Sequence, residues 1–563
     1  MIGNPPYVRV QNLSYEDVDY YKLAFETAFK RIDISELFFD AGLNITRKSG
    51  RLGFIASTQF LLAEYGRKLR EKLLKYKIVK IIDFEDQPIF VEAITYTGIF
   101  ILENDKSMPF VYINLGKSPM SELANILIHN KFQERLVHPQ NLSGEPWQIR
   151  IGSSKLLEKI NQSHSSKLIS IARPVYGILT GSDEIMVFDT ASGLEIEMDA
   201  IRPIVWPVHV ERWYLNDTTL KVIYPYTKKG SDTILMEERE LASKYPLCYT
   251  YLSRRRSQLL ARRDSRKRIE NFLGKWFGLM RFSSIEVIES PKLLTPGISK
   301  NNKFCIDESG NAFIGKGITG ILPLKTNIYY LCSILNSKII EWTLHQTSPI
   351  KQGGYYTYSS TFLSNLPIRR ISFTTPAPER ARLVTELQQL YAEGKCDEIL
   401  AGVESCLPKD ESGSFITEEE KSDVVHDLLA FLAERMLEMN KEKQKEIRGF
   451  LDWLEGYLGA KIEDLKPKTR ILSYYQNDFG SFLGDLKKNK TRLTIDPFRR
   501  EPAELLQSEF EGSMKKLEPL MERIKRTDEL IDAVVYRLYG LTDEEIGIVK
   551  GREVDKETES EEE

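Results

Sequence analysis

Long apolar runs, cysteine pairs and histidine clusters are all missing from this 563-residue sequence. No apolar stretch reaches the roughly 18 residues that a membrane-spanning helix needs, so we expect no membrane contact. The cysteines form no CxxC pair and have no histidine at metal-ligand spacing, which argues against a disulfide framework and a zinc site. The sequence therefore predicts free thiols in a reducing cytoplasm for Cys248, Cys305, Cys332, Cys396 and Cys406.

The chain also lacks an excess of charge of either sign, with 78 Lys and Arg against 81 Asp and Glu. A globally basic nucleic-acid-binding protein is therefore excluded, and any surface for nucleic acid must be local. The six histidines are scattered, which favours structural or exposed positions over a catalytic cluster. Hydrophobic residues make up 42% of the chain, as in soluble globular proteins. The length suffices for about two to four domains.

The most informative stretch that is present is Asn4-Pro5-Pro6-Tyr7. An adenine amino group is a poor nucleophile, because its lone pair is delocalised into the ring. Two acceptors, the Asn4 side-chain oxygen and the Pro5 carbonyl, can draw this group toward a nucleophilic geometry. The two prolines make the loop rigid and leave its carbonyls free, and Tyr7 offers a ring on which a base can stack. The target atom is inaccessible in a duplex, so such a pocket would receive a flipped base.

An ordinary Asn-Pro turn before a surface proline pair is the alternative interpretation of these four residues. At average residue usage, the tetrad occurs by chance in on the order of one in several hundred chains of this length. The apolar residues Ile2 and Val8 on either side favour a strand that runs into a loop. We therefore interpret Asn4, Pro5, Pro6 and Tyr7 as catalytic.

Helical and strand patterns alternate around this loop. Residues 20–46 carry apolar side chains at three- and four-residue steps, which predicts helix. Residues 54–57, 78–84 and 95–102 are apolar, β-branched or aromatic and predict strands. Thr58 is expected to cap the helix that follows the first of these strands. This order of elements predicts the second half of a doubly wound sheet.

Three stretches of this block, residues 2–9, 50–55 and 84–102, resemble adenine-N6 DNA methyltransferases of the Type IIG restriction–modification kind. The resemblance implies methyl transfer from S-adenosylmethionine to an adenine in double-stranded DNA, in a step that needs no metal. It also implies that Phe90 packs against the flipped adenine. A core or loop-anchoring aromatic residue is the alternative for Phe90.

In that family a glycine-rich strand–helix turn for S-adenosylmethionine lies upstream of the Asn-Pro-Pro-Tyr loop, whereas only three residues precede Asn4 here. Residues 177–181 and 315–320 contain glycines, but neither has a strand–turn–helix context with an acidic residue about 20 positions further on, and we interpret 315–320 as a loop. We therefore expect an N-terminally truncated enzyme whose cofactor-binding residues are unknown. An upstream polypeptide that completes the methyltransferase domain is the expected partner besides DNA.

The densest basic segment lies in the middle of the chain, at residues 251–281. It has ten Lys and Arg against two acidic residues, with aromatic residues between them. Cations neutralise phosphates, and aromatic or guanidinium planes stack on bases, so we favour DNA contact over a solvated basic face. The expected DNA-binding residues here are Arg254, Arg255, Arg256, Arg262, Arg263, Lys275 and Trp276.

A second candidate for DNA contact is the segment 351–359, where two glycines allow a close approach of the backbone. We expect Lys351 and Tyr355 to reach DNA, with a simple hairpin turn as the alternative. This part of the chain resembles the target-recognition domain that follows the catalytic domain in Type IIG enzymes. The resemblance rests on residues 176–181, 275–277, 291–294 and 358–367.

The last part of the chain has helical patterns, with a long apolar stripe at 418–456, a predicted break near Asn440 and a capping box at Thr542. The predicted class is α/β, as a partial doubly wound methyltransferase sheet, followed by an α+β DNA-recognition domain and a helical C-terminal region. The predicted parts are a methyltransferase half at 1–115, a connector at 116–146, a recognition domain at 147–372, a helical region at 373–550 and an acidic, disordered tail at 551–563.

The leading hypothesis is a site-specific DNA adenine-N6 methyltransferase component of a restriction–modification system, incomplete without upstream sequence. A catalytically inactive DNA-binding specificity subunit is the alternative from a different class. A split methyltransferase, in which another chain supplies the cofactor site, is a further alternative. A nuclease would need a carboxylate cluster for Mg²⁺, and no convincing cluster is apparent in the sequence.

Overall fold

The computed structural model divides the chain into two compact units. The first comprises Met1–Thr326, Leu335–Arg370 and Tyr539–Glu563, and the second comprises Asn327–Ile334 and Ile371–Leu538. No helix in the described part of the chain has the length and apolar character needed to span a bilayer. The structure describes residues 1–551 except 9–12, 31–32, 86, 88, 91–95, 117, 131, 133, 148, 150–153, 163–164, 231, 265–266, 269–275 and 352.

A six-stranded mixed sheet organises the N-terminal part of the first unit. Its strands are β1 (Ile2–Gly3), β2 (Arg51–Ser57), β3 (Lys77–Asp83), β4 (Thr97–Glu103), β5 (Phe110–Asn114) and β6 (Glu134–Val137). They lie in the order β1-β2-β4-β3-β5-β6. β1 is parallel to β2 and β3 is parallel to β5, whereas β4 and β6 are antiparallel to their neighbours. The carboxyl ends of β1, β2, β3 and β5 therefore share one edge of the sheet.

This arrangement confirms a mixed α/β class and refines the predicted sheet, since two of the six strands run antiparallel. The segment 116–146, which the sequence predicted to be a connector, contributes the helix Leu123–Ile128 and β6. Because β6 pairs with β5 from Phe110↔Val137 to Ile113↔Glu134, this segment belongs to the sheet.

Buried aromatic and aliphatic side chains hold helices against one face of the sheet. On β2, the alternating residues Leu52, Phe54 and Ala56 are buried, which is the period of a strand with one covered face. The ring of Phe39 packs edge-on against those of Phe54 and Phe100, at centroid distances of 5.2 and 5.3 Å. The core of this part therefore joins the second helix to the centre of the sheet. The helices here are Tyr15–Ala24, Ile34–Ile45 and Arg67–Leu73.

Two local predictions for this part were wrong. The helical pattern at 20–46 corresponds to two helices, because the backbone is extended at Phe25 and again at Asp33, which caps the second helix. Thr58 makes no capping hydrogen bond, and β2 leads instead into the short 3-10 turns Gln59–Leu61 and Glu64–Gly66.

Short strands and short helices build the rest of the first unit. Residues 315–317 form a turn between two strands, not between a strand and a helix, so Gly315 and Gly317 lie in a loop as predicted. The loop prediction was wrong for Gly320, which lies in the strand Ile318–Pro323 and pairs with Leu294. The strands are Ser165–Lys167, Ala172–Tyr176, Val187–Asp189, Ile201–Val205, Val210–Glu211, Tyr214–Leu215, Leu220–Ile223, Tyr226–Lys229, Asp232–Leu235, Arg263–Asp264, Lys267–Arg268, Lys292–Pro296, Ile298–Ser299, Cys305–Asp307, Phe313–Ile314, Ile318–Pro323, Ile350–Lys351, Tyr355–Thr357 and Pro367–Arg369. The helices are Ser154–Gln162, Asp183–Met186, Glu238–Lys244, Pro246–Ser253, Arg256–Leu260, Ile285–Ile288, Lys338–Thr347, Ser360–Leu363 and Asp543–Val549.

The last residues of the chain belong to the first unit. The Tyr539 hydroxyl donates to the carbonyl of Pro367 at 2.9 Å and accepts from the amide of Arg369 at 3.2 Å. Tyr539 is fully buried. The predicted capping box at Thr542 is confirmed, and Glu545 of the same helix pairs with Lys159 at 2.6 Å.

The second unit is helical. Its helices are Ile328–Asn336, Ala377–Glu393, Cys396–Ser405, Ser422–Leu458, Lys468–Leu472, Phe479–Lys487 and Arg500–Leu538. The predicted break near Asn440 was wrong, because Ser422–Leu458 is one helix of 37 residues. Asn440 is buried inside it and donates to the carbonyl of Met436 at 2.8 Å, which satisfies the amide without interrupting the helix.

Candidate active site

The Asn4–Tyr7 loop leaves β1 at the carboxyl edge of the sheet. Ile2 and Gly3 of β1 pair with Gly53 and Phe54 of β2, which fixes where the loop begins. A Cβ at Gly3 would lie 3.0 Å from the ring of Phe54, so the close contact between loop and strand favours glycine. In open α/β sheets, ligands bind outside the carboxyl ends of parallel strands, which is where this loop lies.

The four residues of the loop differ in exposure. Asn4 and Pro6 are exposed, Pro5 is buried and Tyr7 is half-buried. The Tyr7 hydroxyl donates to the carbonyl of Ile55 on β2 at 3.0 Å. Burial and, to a smaller extent, the negative charge of Asp33 raise the pKa of Tyr7 to about 12, so its phenol stays neutral. The loop is thus anchored by Pro5 and Tyr7, while the Asn4 amide faces solvent.

Phe90 lies beside this loop, although it is far from it in sequence. Its ring centroid is 6.1 Å from that of Tyr7, with the planes inclined at 54°. Both residues follow strands, β1 and β3, whose carboxyl ends share the same edge of the sheet. The structure therefore brings together the two aromatic residues that were predicted to contact a base.

Further polar groups along this edge were missed in the sequence. Asp83, at the end of β3, is 5% exposed and accepts hydrogen bonds from the Tyr112 hydroxyl and the Glu85 amide, both at 2.9 Å. A cavity beside these groups is lined in part by Thr58, Tyr96 and Trp147. An acidic residue directly after an apolar strand was the signal for Asp83 in the sequence.

The loops at this edge do not fit S-adenosylmethionine by themselves. The described residues that follow β1, β2, β3 and β5 form no glycine-rich strand–helix turn, which is the feature that cradles such a cofactor. β1 is an edge strand, and the side chain of its residue Ile2 is 94% exposed. The described residues thus provide a candidate site for the base and none for the cofactor.

Arg262 and Trp276, predicted to contact DNA, lie in the interior of the first unit at 5% and 4% exposure. The Arg262 guanidinium donates to the carbonyls of Leu259, Thr180, Trp276 and Gly278 over 2.5–2.9 Å. Burial lowers the pKa of Arg262 to about 10, which still leaves it charged at neutral pH. This arginine stabilises the fold, and its donors are unavailable to DNA because carbonyls already occupy them.

The neighbouring arginines are more accessible. Arg254 is exposed. The Arg255 guanidinium lies 3.9 Å from the ring centroid of Tyr251. Arg256 lies 4.9 Å from that of Trp276 and pairs with Glu238 at 3.2 Å. The side chain of Arg263 and all of Lys275 lie outside the described residues.

Lys351 and Tyr355 face each other across a hairpin, as the alternative interpretation of this segment predicted. The turn contains Gly353 and Gly354 at φ +77° and +74°, a conformation that favours glycine. Tyr355 is 40% exposed, and Lys300 lies 5.1 Å from its ring centroid. The hairpin therefore presents the ring of Tyr355 on the surface, while Lys351 on the facing strand is half-buried.

Known families match three segments of the chain. Residues 1–90 match the Eco57I restriction-modification methylase family, and residues 239–368 match the TaqI-like C-terminal specificity domain. These two matches make the chain similar to Type II restriction–modification methyltransferases. Residues 422–535 match a domain of unknown function, DUF8810.

Two curated relatives and one solved structure illustrate the extent of the similarity. The chain is 25% identical over 431 residues to the Type II restriction enzyme and methyltransferase RM.Eco57I of Escherichia coli, covering 69% of this chain and 42% of that protein. It is 24% identical over 387 residues to the Type II methyltransferase M.BstVI of Geobacillus stearothermophilus, covering 65% and 66%. The Type IIL restriction-modification enzyme MmeI, solved in complex with DNA, is 13% identical with a TM-score of 0.44, covering 76% of this chain and 53% of that one. The chain thus spans less than half of the first relative and about two thirds of the second.

Proposed function

We propose that this chain contains the base-binding and DNA-recognition parts of a site-specific DNA adenine-N6 methyltransferase of a restriction–modification system. The observation that carries the proposal is the Asn4–Tyr7 loop at the carboxyl edge of the sheet, with the Tyr7 and Phe90 rings 6.1 Å apart. The methyl donor is S-adenosylmethionine, as in the family that the chain resembles. The substrate is an adenine flipped out of double-stranded DNA.

Each residue of the loop has a distinct role in this proposal. The Asn4 side-chain oxygen and the Pro5 carbonyl accept hydrogen bonds from the two hydrogens of the adenine amino group. Buried Pro5 fixes the carbonyl in place, and the second proline, Pro6, limits the motion of the loop. Tyr7, held by its bond to Ile55, acts through its ring and not as an acid or base, since its pKa of about 12 keeps it neutral.

The energetics of base flipping agree with two aromatic residues at the site. Extruding a base from the duplex costs a few kcal/mol. Stacking on one aromatic side chain contributes about 1–3 kcal/mol. Contacts with both Tyr7 and Phe90 are therefore of the right size to offset the cost of flipping, which leaves hydrogen bonding at Asn4 and Pro5 to select the amino group.

DNA recognition is assigned to the part of the first unit that matches the specificity domain. We retain Arg254, Arg255, Arg256, Lys351 and Tyr355 as proposed DNA contacts, because their side chains are exposed or half-buried. We remove Arg262 and Trp276, which are buried. Arg263 and Lys275 stay predictions from the sequence.

The proposed partner besides DNA is a polypeptide that pairs with β1 and supplies the cofactor site. The edge position of β1 and the exposure of Ile2 support it, since an unpaired strand edge with an exposed apolar side chain favours association. In this form the chain is one half of a split methyltransferase. A catalytically inactive specificity protein is the alternative, and the match to the specificity domain alone would suffice for it.

The test measures methyl incorporation and cofactor binding separately. The purified chain is incubated with unmethylated plasmid DNA and tritiated S-adenosylmethionine, and the DNA is analysed for N6-methyladenine. Incorporation that is lost in Asn4→Ala supports the proposal, and incorporation into cytosine contradicts it.

Calorimetry with S-adenosylmethionine then separates the alternatives. Binding by the chain alone argues against both a split enzyme and an inactive subunit. Binding and turnover that appear only when a polypeptide with the glycine-rich turn is added support the split enzyme. Sequence-specific DNA binding with no methylation under either condition supports the inactive specificity protein.

A further inference from the structure

The second unit has its own concentration of positive charge, outside the region expected to contact DNA. We define the basic loops as residues 464–470 and 487–499, which contain eight Lys and Arg against Asp464 and Asp496. They surround the helices Lys468–Leu472 and Phe479–Lys487. The chain as a whole has a net charge of −3, so this surface is opposite in sign to the remainder. The basic loops fall inside the DUF8810 match, whose function is unknown.

Buried polar groups hold the two loops together as one surface. Asn489, 3% exposed, accepts from the amide of Lys466 at 2.8 Å and donates to the carbonyl of Lys466 at 2.6 Å. Arg492 donates to the carbonyl of Asp464, which joins the loops at a second point. Hydrogen bonds between side chains and the backbone therefore fix the two loops against each other. The charged side chains are carried on this fixed pair of loops and not on a flexible segment.

One buried carboxylate forms ion pairs with two of the cations. Asp485, 3% exposed, pairs with Arg470 at 2.9 Å and with Lys488 at 2.7 Å. Lys490 pairs with Asp496 at 3.2 Å. These pairs neutralise part of the surface and show which cations serve the fold.

Lys468 also forms an ion pair, with Glu463, whereas the other four cations of the loops form none among the described residues. Lys466, Lys487, Arg492 and Arg499 are exposed, and within the described residues no carboxylate lies at ion-pair distance from them. The ammonium of Lys487 lies 6.0 Å from the ring centroid of Phe498, and the residue is exposed. Like charges on loops that are fixed to each other repel and destabilise the compact state unless a polyanion neutralises them. An arrangement that fixes the loops and leaves four cations unpaired is suited to a polyanion.

We propose that the basic loops bind the phosphate backbone of double-stranded DNA without reading its sequence. A duplex carries about one negative charge per 1.7 Å of its axis, so it can neutralise several of these cations at once. The chain also has a segment that matches a specificity domain, which favours DNA over an acidic polypeptide as the polyanion. The inference does not depend on methyl transfer, because an inactive specificity protein would show the same binding.

The test is the salt dependence of DNA binding by the full chain. The variant Lys466→Gln, Lys487→Gln and Arg499→Gln removes three of the unpaired cations and leaves Asn489, Asp485 and Arg492 in place. A labelled duplex of arbitrary sequence is titrated between about 50 and 200 mM salt, and the slope of log Kd against log salt is measured. We expect the slope to fall by about 2 to 3 in magnitude, since each lost phosphate contact removes about 0.9.

A matched control removes the same charge elsewhere in the helical unit. Lys441→Gln, Arg523→Gln and Lys525→Gln alter three exposed cations outside the basic loops. This control variant should keep the slope of the unmodified chain. Equal slopes for the two variants, with both shown to be folded by circular dichroism and thermal melting, would overturn the proposal. Tighter binding of polyglutamate than of DNA, lost in the basic-loop variant only, would also overturn it and assign the surface to an acidic protein partner.

Discussion

The part of the first unit around β1 and the part that matches the specificity domain, which is the proposed recognition part, differ in how their charged and polar side chains are placed. Around β1 the Asn4 amide faces solvent, and the buried carboxyl of Glu36 has one oxygen without a hydrogen-bond partner among the described residues. In the recognition part, the buried guanidinium of Arg262 makes four hydrogen bonds to carbonyls. In the first region the Asn4 amide is available to a ligand and Glu36 is buried, whereas in the second region backbone carbonyls occupy the donors of Arg262. Local charge density is therefore a poor guide to which side chains can meet a ligand.

The largest expected effect separates activity from stability at Asn4. Asn4→Ala removes one of two acceptors for the amino group, and we expect about a thousandfold slower methylation, or about 4 kcal/mol in the activation barrier. The melting temperature should not change, since the side chain is exposed. Methylation assays of the catalytically competent assembly and thermal melts measure both quantities. Pro6→Ala, also at an exposed position of the loop, is the control with the smaller loss. A large fall in melting temperature for Asn4→Ala would place Asn4 with Arg262 as a structural residue.

Substitution of Arg262 should lower the stability of the chain, in contrast to substitution of Asn4. Arg262→Leu leaves four buried carbonyls without their donor, and we expect the free energy of unfolding to fall by about 3 kcal/mol. Chemical denaturation of the full chain measures this, with exposed Arg254→Leu as the control that stays within about 0.5 kcal/mol. Unchanged stability of Arg262→Leu together with weaker DNA binding would restore Arg262 as a DNA contact and remove the contrast between the two regions.

Glu36 gives a prediction about pH. Burial, with a further contribution from Asp33, raises the pKa of Glu36 well above 4.5, although Arg70 opposes this shift. The raised pKa stabilises the fold fully below about pH 4.5, and this stabilisation is lost as the pH rises through the folded-state value. We therefore expect Glu36→Gln to be more stable than the unmodified chain at pH 8, by on the order of 1 kcal/mol. At pH 4 the gain in stability from this substitution should be smaller. Melting curves at the two pH values test this, and a gain that does not depend on pH would contradict the raised pKa.

The smallest expected effect concerns an exposed arginine of the recognition part. Arg254→Gln should weaken binding to DNA by about threefold to tenfold and lower the salt slope by about 1, with no change in melting temperature. Fluorescence anisotropy at several salt concentrations measures both. An unchanged salt slope for Arg254→Gln would show that Arg254 does not contact a phosphate.

The sequence was most informative where chemistry depends on a few adjacent residues. The Asn4–Tyr7 loop, the strands β2, β3 and β4 and the capping box at Thr542 were all found from local patterns, and the structure agrees with their positions. The proximity of Phe90 and Tyr7 came from the family resemblance, since nothing in the local sequence shows that the ends of β1 and β3 meet. The burial of Arg262 was not predictable, because it depends on contacts with Thr180 and Trp276 that are distant in sequence. The basic loops escaped notice for a similar reason, since their two halves, which are separate in sequence, are joined by hydrogen bonds of Asn489 and Arg492.

The bond between Tyr539 and the strand Pro367–Arg369 has a consequence for how the chain can be cut. Residues 371–538 are an insertion in the first unit, because the chain leaves this unit after Arg370 and re-enters it at Tyr539. If a protease cleaves once within this insertion, the fragment that ends before the cut keeps Arg369 and the fragment that begins after it keeps Tyr539. The hydrogen bonds of Tyr539 then hold the two fragments together. A nicked molecule should therefore migrate as a single particle in gel filtration and as two fragments only after denaturation.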